Sequence, residues 1–215
     1  MLVVQEEPTH AMIHPHTRLA HVNDRIGLGV VATQPIPAGT IVWVRDTLDQ
    51  LIPRPLARAL GPLYRQALRH FAFWEADGDL VLCWDHARFV NHSCEANCLG
   101  GGFDHVEVAV RDIAEGEQVT DDYGTFGYAT DFDCRCGAPA CRGRVSRSDA
   151  ERMAPHWNAS FLAALARVGE HPQALRPLLT DDTFLAALQD PSLVPGHPQR
   201  WPERPPVARL IRGRP

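Results

Sequence analysis

Six cysteines stand at 83, 94, 98, 134, 136 and 141 of a 215-residue chain, and their bunching limits the possible folds more than any other feature. In DCRCGAPACRG, the spacing Cys134-x-Cys136-x4-Cys141 gathers three thiols on one short loop, with Gly137 and Pro139 permitting a tight path. Thiolates so spaced can take three corners of a tetrahedral zinc site. The fourth ligand must come from elsewhere, and NHSCEANC, starting at Asn91, offers Cys94 or Cys98. A metal held this way would tie the end of the domain to its centre. The plainer alternative is a group of reduced thiols packed in a core. Disulfides are disfavoured, because the start MLVVQEEPTH lacks a secretory signal and the cysteines do not scatter as pairs.

Around these cysteines the pattern is mostly that of short strands. Residues 1–23 are polar and without periodicity, so we expect a flexible lead-in whose His10, His14, His16 and His21 are solvated rather than metal-bound. RIGLGVVATQPIPAGTIVWV, from Arg25 to Val44, reads as strand, Pro-Gly turn, strand, a short hairpin or corner. From about 53 to 73 the spacing of Leu56, Leu60, Leu63, Tyr64, Ala67, Leu68 and Phe71 predicts an amphipathic helix, interrupted at Gly61-Pro62. Further strands are expected at LVLCW and at HVEVAVRDI, where valines alternate along one buried face. Trp74 and Trp84 flank the first of these and read as core residues.

Beyond Gly143 the pattern turns helical, with Trp157, Phe161, Leu162, Leu165 and Val168 on one face and Phe184, Leu185 and Leu188 on another. From Pro191 a Pro- and Arg-rich tail is expected to be extended or disordered. The fold class is thus mainly β, with one helical insertion and a helical C-terminal extension.

A net charge of -5 argues against direct nucleic-acid binding, whose footprint is a basic excess. No apolar run is long enough for a membrane helix, and we expect a soluble, cytoplasmic protein. All 21 basic residues are Arg, so the protein has no side-chain lysine of its own to modify.

Three separated motifs, RFVNHSCEAN at 88–97, GEQVTDDYG at 116–124 and CRCGAPACRG at 134–143, follow the upstream glycine segment RIGLGVVATQPIPAG. In this order they resemble the SET-domain protein lysine methyltransferases with a cysteine-rich post-SET segment. The short length and all-arginine composition suggest a stand-alone prokaryotic member. The likeness spans about residues 24–144, divided as a SET domain over 24–130, with the helical insertion within it, and a post-SET zinc segment over 131–145. Residues 146–215 form the helical extension.

The resemblance implies a β-clip fold of small curved sheets in which the NHSC and DDYG segments cross in a knot-like arrangement. It also implies S-adenosylmethionine on one face and a protein lysine on the other, joined by a narrow channel. Such a channel suits the chemistry, because a neutral amine must attack the methyl in line while a free lysine has a pKa of about 10.4. Carried over residue by residue, Tyr123 is the catalytic tyrosine that aims the amine and borders the donor. Gly27, Leu28, Gly29, Asn91 and His92 bind the donor, and Cys94 joins Cys134, Cys136 and Cys141 around Zn2+. That leaves Cys83 and Cys98 as structural thiols. Asp121, Phe126 and Tyr128 fall where they can line the substrate channel, and the two aromatics can equally pack beneath the zinc loop.

Three departures from the family pattern bear on function. Asp121 stands where an aromatic residue linked to the number of methyls added is common, Ala96 replaces a proline, and TIVWVRDTL replaces an aromatic-plus-acid segment. They motivate a competing expectation, a degenerate zinc-stabilised interaction module without catalysis. Transfer to an amine other than protein lysine is a third. Nothing in the sequence selects an oligomeric state.

Overall fold

The computed structural model describes residues 12–75, 78–126 and 131–198. The first part of the lead-in with His10, channel candidate Tyr128, and the tail from 199 lie outside the described residues. The chain forms, in order, β1 (Thr17–Asn23), β2 (Gly27–Ala32), β3 (Ile41–Val44), β4 (Gln50–Ile52), α1 (Arg54–Ala59), α2 (Pro62–Phe71), β5 (Ala72–Trp74) and β6 (Leu80–Leu82). There follow β7 (Asn91–His92), β8 (Cys98–Leu99), β9 (Val106–Ala109), β10 (Thr120–Asp121), β11 (Phe132–Asp133), β12 (Arg144–Val145), α3 (Asp149–Leu165) and α4 (Asp182–Gln189). Among the described residues no helix is long and apolar enough to cross a membrane.

The mainly β expectation is met by four small sheets, with strand orders β1-β2, β4-β6-β5, β3-β9-β8-β10-β7 and β11-β12. The crossing of the two central motifs takes a definite form. β10 lies parallel to both β7 and β8, so the segment before Tyr123 is inserted between the two halves of NHSCEANCL. Asn97 holds this insertion. Fully buried, its side chain accepts from the Thr120 amide at 2.8 Å and donates to the Gln118 carbonyl at 2.7 Å. A buried backbone donor with no water to turn to is costly to leave unpaired.

Two strand expectations are corrected. Part of the lead-in is built into the fold, since β1 pairs with β2, and Ile13, 1% exposed, bridges to Trp43. β1 is only half covered and carries Arg and His, so it shows no apolar alternation, and β2 decides its structure. The segment 25–44 is not a hairpin of β2 with β3, because β3 pairs with β9 instead. Pro35 and Pro37 lack the donors a ladder needs. The turn docks on the neighbouring loop through reciprocal Ile36 and Ile113 amide bonds of 2.9 Å.

The helical insertion breaks at the expected Gly61-Pro62, but its apolar face is mostly uncovered. Leu68 is buried, whereas Leu56, Leu63 and Tyr64 are exposed. Trp84, expected in the core, lies at the surface with its indole N–H on Asp46 Oδ2 at 3.2 Å. The spacing of short apolar runs does not reveal which side has a neighbour.

The principal core sits between the five-stranded sheet and the C-terminal extension. Val106, Val108, Leu99 and Ile41 meet Trp157, Phe161, Leu165, Val168 and Phe184, while Leu162, assigned to the same face, is exposed. Gly101, at φ +62°, lets Phe161 approach, for a Cβ there would stand 2.3 Å from its ring. Full burial of a side chain such as Phe161 contributes about 1.5–3 kcal/mol.

Asn97→Ala should destabilise the protein by about 2 kcal/mol through the orphaned Thr120 amide and Gln118 carbonyl. Urea unfolding checks this, with a lower midpoint and an unchanged slope as the expected outcome.

Candidate active site and metal centre

Tyr123 opens a 3-10 turn immediately after β10. Its hydroxyl donates to the Val90 carbonyl at 2.7 Å, and its amide donates to His92 Nδ1 at 3.1 Å. Since the phenol proton is spent on Val90, the oxygen keeps lone pairs that can accept from an amine. The ring sits among aromatics, with centroids 5.4 Å from His92, 5.8 Å from Phe126 and 6.2 Å from Phe132. Phe126 in turn stacks on Phe73 of β5 at 5.6 Å, so the insertion sheet contributes one side of the surround. Burial, together with neighbouring Asp121, pushes the Tyr123 phenol above its usual range.

The glycine segment meets the same region. Asn91 Nδ2 donates to the Leu28 carbonyl and to Gln118 Oε1, both at 3.1 Å. A Cβ on Gly29 would stand 2.6 Å from Asn91 Nδ2 and 2.8 Å from Gln118 Oε1, so only glycine admits this contact. Gly27, at φ +81°, has nothing within 4 Å of where a side chain would be, so the space beside it is open. Leu28 is 42% exposed. Gly27, Leu28, Gly29 and Asn91 thus lie together, tied by the Asn91 bond to the Leu28 carbonyl, with open space beside Gly27.

Asp121 is buried on β10 beside this group. Burial, and then the charge of Asp122, push its carboxyl up to about 8, although the Asp122 amide bonds its Oδ1 at 2.7 Å. Glu107, whose Oε2 is buried without a partner, is pushed up by burial and by Asp121. Asp121 therefore carries a proton near neutral pH.

The cysteines converge as their spacing suggests. Sγ of Cys134 lies 3.7 Å from Sγ of Cys94 and 3.7 Å from Sγ of Cys141. Four sulfurs bound tetrahedrally at about 2.3 Å would stand about 3.8 Å apart, so these distances fit a metal. Backbone N–H groups point at the sulfurs, from Cys94 to Cys136 at 3.4 Å, from Arg142 to Cys94 at 3.4 Å and from Gly143 to Cys141 at 3.5 Å. Such donors favour thiolates. Burial raises the Cys136 thiol, but the amides of Cys94 and Ala138 and the neighbouring thiols outweigh it and bring the group down to about 7. Cys98 and Cys83 are buried away from the cluster and held well up by burial.

Sequence reading alone missed His92 as a neighbour of the cluster. Ligand atoms of His92, Cys94, Cys134 and Cys136 all lie within 4.8 Å of one another, with His92 Nε2 3.4 Å from Cys94 Sγ. Its tautomer decides what it can do. Nδ1 accepts the Tyr123 amide proton, so in the neutral ring the remaining proton sits on Nε2 and points to sulfur. His92 then points this proton at the Cys94 sulfur, linking the cysteine cluster to the Tyr123 turn, and Cys141, with its sulfur 3.7 Å from that of Cys134, is the remaining candidate for a fourth ligand. Also unforeseen was Arg142, whose guanidinium pairs with the Asp122 carboxylate at 2.6 and 2.7 Å.

Comparison with known proteins adds a family likeness for part of the chain. Residues 27–124 match the SET domain family model. The chain is 39% identical over 146 residues, 62% of its length, to histone-lysine N-methyltransferase ATX2 of Arabidopsis thaliana. It is 32% identical over 143 residues, 60% of its length, to histone-lysine N-methyltransferase ash1 of Drosophila melanogaster. An H3 lysine-36 specific histone-lysine N-methyltransferase of Cryptococcus neoformans var. neoformans serotype D shares 28% identity over 69% of the chain. The aligned regions span only 13%, 6% and 19% of these relatives.

Two outcomes follow from the geometry. Cys141→Ser should lose bound zinc, while His92→Asn should keep about one ion per chain, as read by native mass spectrometry. The raised carboxyl of Asp121 means that folding takes up a proton between pH 3.8 and about 8, so stability falls as pH rises through that window. Asp121→Asn should reduce this slope in urea unfolding measured across the same range.

Proposed function

We propose that this protein transfers a methyl group from S-adenosylmethionine to the side-chain amine of a protein lysine, with one structural zinc in the post-SET segment. The observation that carries the reading is the Tyr123 hydroxyl, aimed by its bond to Val90 and set among aromatic rings beside Asn91 and Gly27–Gly29. Similarity to proteins named as histone-lysine methyltransferases supports a lysine-bearing protein as acceptor.

When bound, the donor supplies an electrophilic methyl on a sulfonium. Donor-binding duty falls to the open space beside Gly27 and to the segment of Asn91 and His92, with the His92 ring itself engaged with Tyr123 and Cys94. The aromatic surround of Tyr123 excludes water and so disfavours ammonium. Free lone pairs on the Tyr123 oxygen accept an amine N–H and orient the nitrogen, while the proton lost from lysine leaves to water beforehand. Holding the reacting atoms near contact is the principal contribution asked of these residues.

A protonated Asp121 suits this chemistry better than a carboxylate would. An ionised acid beside the amine would hold it as ammonium, which has no lone pair for attack. The neutral acid can instead donate to or accept from the nitrogen. Zinc, held by Cys94, Cys134, Cys136 and Cys141, would fasten the segment that follows Tyr123 back onto the segment that precedes it.

Calorimetric titration of S-adenosylmethionine into protein of assayed zinc content, followed by a labelled-methyl screen of lysine-bearing proteins, tests the reading. Tyr123→Phe should lower turnover about a hundredfold while leaving donor affinity within about twofold. A zinc-replete protein that binds no donor would point instead to the interaction-module alternative.

A further inference from the structure

Resting on that methyl-transfer reading, we propose that Trp157 of the C-terminal helix is a positioning residue for the reaction, acting through Asp122 on the turn that carries Tyr123. Trp157 lies outside the SET-matched stretch, on a helix that sequence patterning explains as simple packing. Its indole N–H, however, donates to Asp122 Oδ2 at 3.0 Å, and both residues are buried, at 2% and 1% exposure.

Asp122 fixes both ends of the turn. Its carboxylate accepts from the Gly124 amide at 3.0 Å, and its carbonyl accepts from the Thr125 amide at 2.8 Å and the Thr125 hydroxyl at 2.7 Å. Tyr123 lies between these bonds. The helix reaches the carboxylate twice, directly through Trp157 and indirectly through Asp149, whose Oδ2 lies 3.3 Å from Nε of the Arg142 that pairs with Asp122.

The fit around Trp157 is close. A Cβ on Gly124 would stand 3.1 Å from the Trp157 ring, and His197 packs edge-on against the indole with centroids 5.5 Å apart. Indole offers a single N–H and no acceptor, so its hydrogen-bonding capacity is spent on Asp122. Removing that donor leaves a buried carboxylate with one fewer partner and frees it to shift with the turn. A displacement of about 1 Å at the Tyr123 hydroxyl is enough to cost a large factor in rate.

Trp157→Phe, which keeps an aromatic ring and drops the N–H, is the test. We expect kcat to fall about tenfold or more, with KM for the donor and zinc content within about twofold of the wild type. Hydrogen exchange of the 120–126 amides should rise, while β1 and β2 are unaffected. Combined with Asp122→Asn, the tryptophan change should add little further loss, because both act through one carboxylate. An unchanged kcat per folded molecule, or additive losses in the double variant, would overturn the proposal whatever happens to stability.

If the wild type shows no turnover, the methyl-transfer reading fails by itself. Unchanged 120–126 exchange in Trp157→Phe would then overturn the coupling of α3 to the turn. Should Trp157→Phe yield no soluble protein, Asp149→Asn, which loosens Arg142 from the same helix, carries the same kinetic and exchange test.

Discussion

The carboxylate of Asp122 is the point at which three distant stretches of chain meet. It is almost wholly buried, and a buried carboxylate is tolerable only when charge and hydrogen bonds compensate it. Arg142 supplies the charge in a paired geometry, and the indole of Trp157 and the amide of Gly124 supply further donors. Each donor comes from a different element: the cysteine segment, the C-terminal helix and the Tyr123 turn itself. Removing any one leaves the others facing an under-compensated charge, so the three segments are energetically bound to one another.

Two further fastenings work on either side of this point. Asn97 pins β10 between β7 and β8, using one side chain to satisfy a donor and an acceptor of the inserted segment. The cysteine cluster joins the loop after β7 to the segment around β11 and β12, with backbone amides aimed at sulfur. His92 lies between the two systems, receiving the Tyr123 amide on one nitrogen and facing Cys94 sulfur with the other. The tyrosine is thus held from the hydroxyl, the amide and the following turn.

Much of the candidate site was legible in the chain because it is built from local motifs. DCRCGAPACRG brings its own thiols together, and Gly27 permits its own positive φ, whatever surrounds them. Gly29 has a nonlocal reason, the approach of Asn91 and Gln118 from another strand. Less visible were residues whose partners are remote. Arg142 reads as one more arginine in an arginine-rich chain, and Trp157 as one apolar position on a helix, until Asp122 is found between them. β1 escaped notice because a half-covered strand with His and Arg need not alternate, and the helical insertion promised a buried face where Leu63 and Tyr64 instead meet solvent.

Sequence by itself determined the chemistry available: three clustered cysteines able to hold a metal with a fourth from elsewhere, an NHSC segment, a Gly-Leu-Gly stretch and a tyrosine after two acids. These rest on residue type and short spacing, which survive any arrangement of the rest of the chain. Only the tertiary structure decided how those groups are used. It alone showed that β2 pairs with β1, that His92 lies between the Tyr123 amide and the Cys94 sulfur, that Asp121 is buried, and that the C-terminal helix reaches the Tyr123 turn. The physical reason is that pairing, burial and ionisation depend on which groups are brought together from far along the chain. Neither composition nor spacing fixes that.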